Sequence, residues 1–244
     1  MKHFSLIFLF TAGLLTPLAQ ATPTEDAVAA YASGDFAAAA RNFQTALTTH
    51  PSSPDLFYNL AMSLKKEGDA GQAALNFRRA LLLAPRMADA RAGLSDLERA
   101  KGIPPGTADW RTRLFEHLPI STALVAGFAV FWLGAFGALW AMMRSSTGGI
   151  WTGTALALLG ILAFSIGYLS DPRFIWRDGA VVVAAGGAAL LSAPADSSEA
   201  LANLPAGFPV HLEKKRGEWS YVALENGAHG WMPASALAAL VPAS

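Results

Sequence analysis

Three groups of residues in this chain of 244 have types and spacing that invite a chemical reading. Ser63-Leu64-Lys65-Lys66 matches S-x-x-K, in which a lysine can activate a nucleophilic serine. Its usual companions, S-D-N and K-T-G, are missing, and the four residues sit in a helical pattern, so the match is read as chance. The five histidines, His3, His50, His117, His211 and His229, are scattered with no metal-ligand spacing. His117 precedes a long apolar run, where it reads as a surface anchor. The third group, Trp219, Tyr221, Trp231 and Pro233, is suited to binding or core packing rather than to reaction. No dinucleotide, Walker, H-E-x-x-H or G-x-S-x-G motif occurs. The acids are dispersed, with no candidate general acid/base pair. The expectation is no enzyme, no cofactor and no metal.

Composition agrees. With no Cys, the chain has no disulfide, thiolate catalyst or Cys-based metal site. Its 18 basic and 18 acidic residues cancel, whereas a nucleic-acid binder needs a basic surplus. Hydrophobic residues reach 53% and charged ones only 15%, which points to small domains joined by membrane spans. Residues 1–21 have a short positive start, an apolar core and Ala19-Gln20-Ala21. This predicts a secretory signal peptide cleaved before Thr22.

Shifting the sequence by 34 residues aligns Gly34-Asp35 with Gly68-Asp69, Ala39 with Ala73, and Phe43 with Phe77. The same shift aligns Ala46 with Ala80 and Pro51 with Pro85. Period and pattern resemble the tetratricopeptide repeat, which implies paired helices over residues 22–101. The small residues allow close approach, and the prolines end each second helix. Repeat two, Pro54 to Met87, is complete; Asp26 and Ala30 weaken repeat one; Ala88 to Lys101 adds a capping helix. By the family register, Asp55, Tyr58, Asn59, Met62, Lys65 and Lys66 would face a peptide-binding groove. About two repeats are few for stability, so the array is expected to lean on a partner, a second copy or the membrane.

After a linker at 102–117, residues 118–143 and 150–169 carry no charge and flank a polar turn, 144–149. Each is long enough for a bilayer core of about 30 Å. Gly127 and Gly134, and Gly153, Gly160 and Gly167, recur at intervals of seven, which suits close packing of two spans. Neither span has an ionisable residue, which argues against transport by this chain alone. An exported amino end places both soluble regions outside the cytoplasm. The Lys/Arg distribution does not favour this orientation, and the signal peptide decides it.

A connector, 170–178, leads to a β-type region, 179–244. Strands are expected over Ala180–Ala184, Ala188–Leu191, Phe208–Leu212, Glu218–Leu224 and Gly230–Pro233, with a helical turn at Ala234–Leu237. Ser192–Glu199 reads as a loop, Lys214-Lys215-Arg216-Gly217 as a turn, and Asn226-Gly227 as a hairpin. LPAGFPVHL, RGEWSYVAL and NGAHGWMPASAL resemble a bacterial SH3-like domain. The resemblance implies a small barrel with groove positions at Trp219, Tyr221 and Pro233; core packing is the alternative for Trp219 and Tyr221, and it is the expectation for Trp231. Ala236 stands where such domains usually carry Tyr.

The order of signal peptide, short repeat array, two spans and SH3-like domain resembles the BatE-type proteins of bacterial aerotolerance operons. It implies a multidomain, non-enzymatic inner-membrane scaffold with both soluble domains in the periplasm. Implied partners are von Willebrand A-domain membrane proteins and, through them, a MoxR-type ATPase. The alternative is a cell-wall sensor or anchor that binds peptidoglycan through the SH3-like domain. No nucleic-acid partner is expected.

Overall fold

The computed structural model describes residues 22–104, 120–169 and 177–241. The signal peptide, most of the linker and connector, and His3 and His117 lie outside what is described. Five helices come first: α1 (Pro23–Ala32), α2 (Phe36–Thr49), α3 (Pro54–Glu67), α4 (Ala70–Leu83) and α5 (Ala88–Ala100). Their starts are written locally. Thr22 and Glu25 form a reciprocal capping box, and Ser53, Asp35 and Asp69 each accept a bond from the backbone N–H three residues on. Gly68 ends α3 at φ +97°, a left-handed conformation open to glycine and costly for a side chain.

Successive helices pack on one another. Ala39, Ala46, Ala73 and Ala80, the small residues in register at 34, are all buried, and Phe43 and Phe77 fill the space beside them. Two cores result. One joins α1, α2 and α3 around Phe43. The other centres on Phe77 and draws Val181, Ala206 and Leu240 from the distant C-terminal region.

Two long helices follow, α6 (Ile120–Met143) and α7 (Thr147–Leu169), both long and apolar enough to cross a membrane. The connection is shorter than expected, because α7 begins at Thr147. Ser146 caps it: its carbonyl accepts from Ile150 N–H, and its hydroxyl lies 3.4 Å from Gly149 N. The glycines face across the pair. A Cβ on Gly127 would stand 2.7 Å from Phe164 N, and one on Gly153 would stand 2.5 Å from Ala138 N. Gly137, by contrast, faces open space. Phe128, Trp132, Leu133, Phe136, Leu158 and Leu162 point outward from the pair.

The C-terminal region forms an antiparallel sheet of seven strands in the order β3-β2-β6-β5-β4-β1-β7. The strands are β1 (Gly179–Val182), β2 (Ala188–Leu191), β3 (Ala200–Leu204), β4 (Pro209–Arg216), β5 (Trp219–Ala223), β6 (His229–Pro233) and β7 (Leu237–Ala239), with a 3-10 turn at Ala234–Ala236. Its core is Ala180, Val182, Leu190, Val210, Val222 and Met232 with their neighbours. Two strands, β3 and β7, go beyond the expected set. The expected turn at Lys214–Gly217 is also displaced: β4 runs on through Arg216, because Lys214, Lys215 and Arg216 pair with Tyr221, Ser220 and Trp219 across a register shift at Leu212/Lys214.

The helical region and the sheet share one interface. Val181 turns away from the sheet core, towards α4. Gly71 is so close to β1 that a Cβ there would stand 2.7 Å from Val183 Cα. Two arginines of α4 complete the contact. Arg78 donates to Gly207 O at 2.9 Å and to Glu98 Oε1 at 2.6 Å. Arg79 donates to Leu240 O at 3.1 Å and Ala239 O at 2.9 Å, closing the outer side of β7. The short helical array thus leans on the β-domain of its own chain.

Candidate functional site

Residue alternation decides which side chains of β5 and β6 are displayed. Ser220, Val222, Gly230 and Met232 point inward and are buried. Trp219, Tyr221, Trp231 and Pro233 fall on the other face and stay half-buried, with His229 exposed beside them. Cross-strand register pairs Trp219 with Pro233 and Tyr221 with Trp231. The Tyr221 and Trp231 ring centroids are 5.1 Å apart, and Tyr221 stacks on His229 at 6.0 Å with ring planes 17° apart. Glu213 Oε1 lies 3.3 Å from His229 Nδ1.

All three expected groove residues of the β-domain, Trp219, Tyr221 and Pro233, therefore share this face. Trp231 is a correction. It was expected in the core, but Met232 takes that place, fully buried, and puts its neighbour outside. His229 was missed as a member of the row; its place opposite Ala223 follows from register alone. Ala236, the last residue of the 3-10 turn, is buried and adds nothing to the face. The rings offer flat apolar surfaces for stacking, and Lys214 and Arg216 stand opposite Tyr221 and Trp219.

The helical residues divide. Asp55 and Lys66 are exposed, and Asn59 is half-buried. Tyr58 and Met62 pack partly on the Phe77 core, with the Tyr58 and Phe77 rings 6.1 Å apart. Burial, aided by the Asp89 carboxylate, pushes the Tyr58 phenol above its ordinary value. Lys65 reaches α5, with Nζ 3.4 Å from Gly93 O and 3.9 Å from Asp96 Oδ2. Asp96 also pairs with Arg99. Only part of the expected groove set is thus available to a ligand.

The S-x-x-K serine is spoken for: Ser63 is fully buried and its hydroxyl donates to Asn59 O at 2.9 Å. Among the described residues, no three His, Cys, Asp or Glu gather as a metal site.

The buried ionic cluster lies at the interface. Burial pulls the Arg78 guanidinium below its ordinary value, against the pull of Glu98 and Glu225. Burial likewise raises the Glu98 carboxyl, with Arg78 opposing and Glu225 reinforcing. Both partners carry the mark of lost water, as in a pair that fixes geometry more than it adds stability.

Residues 184–238 match the bacterial SH3 domain family. The match covers β2 to β6 and the 3-10 turn, and so contains the whole aromatic row. No curated protein matches the chain.

Proposed function

We propose that this protein is a membrane-anchored, non-enzymatic adaptor whose soluble regions form one binding head. The interface of α4 with β1 and β7 carries this reading. Residues 22–104 precede the apolar hairpin and residues 177–241 follow it, so their contact requires both on one side of any membrane that α6 and α7 cross. The signal-peptide pattern assigns that side to the exterior of the cytoplasm. The head then holds two display surfaces in fixed relation: the exposed part of the α3 groove and the aromatic row of the sheet. Tethering raises the effective concentration of whatever the two surfaces hold. The 34-residue register supports a tetratricopeptide fold for the helices. The BatE-type resemblance nominates von Willebrand A-domain membrane proteins as partners in an aerotolerance or envelope-stress assembly at the inner membrane. Cross-linking of the tagged full-length protein in native membranes, read by mass spectrometry, tests the reading. Recovery of membrane proteins that depends on Tyr58 and Lys66 supports it; recovery of wall material alone sinks it.

A second reading, a peptidoglycan anchor or sensor, is favoured by one observation: the Tyr221, Trp231 and His229 rings lie in a row beside Lys214 and Arg216. Rings and cations together suit the sugars and carboxylates of wall fragments. Sedimentation with purified sacculi, lost in Y221A/W231A, would establish it.

A further inference from the structure

The β4–β5 hairpin ends in Lys214-Lys215-Arg216-Gly217-Glu218-Trp219, with three consecutive exposed cations, exposed Glu218 and half-buried Trp219. The other nearby acid, Glu213, faces His229. The direction of this tip follows from register. Strand β1 pairs antiparallel with β4, Gly179 opposite His211 and Val181 opposite Pro209, and Leu212 N–H donates to Asp178 O. As β4 runs on from His211 to Arg216 it passes the start of β1. It projects roughly 15 Å beyond, at about 3.3 Å per residue. That is the end of the sheet at which the chain arrives from α7.

The separation is bounded too. Residues 170–176 lie between α7 and the described start of the β-domain. At about 3.5 Å per residue, Leu169 and Arg177 stand no more than roughly 28 Å apart. A tip carrying cations and a tryptophan is thus held within reach of the surface from which α7 emerges. Tryptophan favours the headgroup level of a bilayer, and lysine and arginine favour its anionic lipids.

We propose that the Lys214–Trp219 hairpin tip docks on an anionic lipid surface and sets the tilt of the head over the membrane. The proposal rests on the reading of α6 and α7 as spans, and it gives Lys214, Arg216 and Trp219, which lie beside the Tyr221/Trp231 pair, a lipid contact of their own. Docking would hold that row at a fixed height above the bilayer.

The chain has no Cys, so one introduced cysteine gives a unique label. Full-length K215C and A228C proteins, spin-labelled, would be placed in nanodiscs of phosphatidylcholine alone or with phosphatidylglycerol. Lys215 marks the tip, and Ala228 the β5–β6 turn at the opposite end of the sheet. On anionic discs the K215C label is expected to be shielded from an aqueous nickel chelate while the A228C label stays open. Shielding should fall on zwitterionic discs, in high salt, and in K214E/R216E, by roughly fivefold in docked-to-free ratio for each cation lost. The introduced cysteine itself removes one cation, so any docking seen understates that of the native tip. Equal exposure of the two labels on anionic discs overturns the proposal. So does shielding that ignores lipid charge, salt and K214E/R216E, since the tether alone would then explain it. Failure of the protein to enter nanodiscs at all overturns the span reading together with the tip.

Discussion

Two close contacts in this molecule use the same small-residue device in different surroundings. Between α6 and α7, Gly127, Gly134, Gly153 and Gly160 bring backbone against backbone with no charged group in the seam. Between α4 and the β-domain, Gly71 does the same against Val183, but Arg78 and Arg79 lie alongside and bind carbonyls. On the reading of α6 and α7 as membrane spans, the difference follows the solvent. In lipid, shape alone can hold two helices, and a buried charge is expensive. In water, apolar area draws the surfaces together, and arginines fix which carbonyls they meet. The head interface should therefore depend on ionic partners, and the hairpin only on space.

Removing Arg78 should break the comparison most severely. Arg78→Ala leaves the partly buried Glu98 without its cation and Gly207 O without its donor, at a cost of about 3 kcal/mol, the low end for a buried pair. Thermal unfolding of the head, followed by near-UV signals, should show a large loss. Unchanged melting would mean that the interface does not form in solution.

A paired substitution tests independence. Gly71→Leu forces a side chain into the β1 backbone and should cost the head about 1–3 kcal/mol. It should leave unchanged the distance between spin labels at Val125 and Leu162, both outward-facing on the hairpin. Gly153→Leu should do the reverse, broadening that distance while head melting stays constant. A shift of both readouts by either variant would show that hairpin and head are coupled.

The smallest expected effect is electrostatic. The Glu98 carboxyl is held above its ordinary value by burial, against Arg78, with Glu225 adding to the rise. Such a group binds its proton more tightly in the folded than in the unfolded chain. Its stabilising contribution is complete below the ordinary carboxylate value and is lost as pH rises through the raised one. Head stability should therefore decline with rising pH across that window, and Glu98→Gln should flatten the decline. Melting curves at several pH values between about 4 and 7 would check the slope; an unchanged slope in the variant would refute it.

What the sequence revealed and what it hid follow from range. Caps, left-handed glycines and small-residue intervals act over a few residues. Asp35, Asp69 and Gly68 stood out as positions in register, and the two long apolar helices could accordingly be read directly. The strands at Ala200–Leu204 and Leu237–Ala239 could not, because alanine-rich segments have weak β preference and pairing alone makes them strands. Trp231 went astray because one step of register separates core from surface, and Met232 competed for the inner place. The aromatic row was legible as residue types but not as a surface. Nothing in the sequence singles out Arg78 and Arg79, since the carbonyls they hold lie 129 and 160 or more positions away.

That last separation sets an order of assembly. During synthesis α4 emerges early, with its guanidinium groups and the face around Phe77 ready for strands that do not yet exist. The apolar hairpin must be made and placed before Leu240 is delivered. The carbonyls that Arg79 holds are synthesised 160 or more residues after it. Loss of the segment around Leu240 would thus uncover apolar surface on α4, and incomplete synthesis would be exposed far from the missing part.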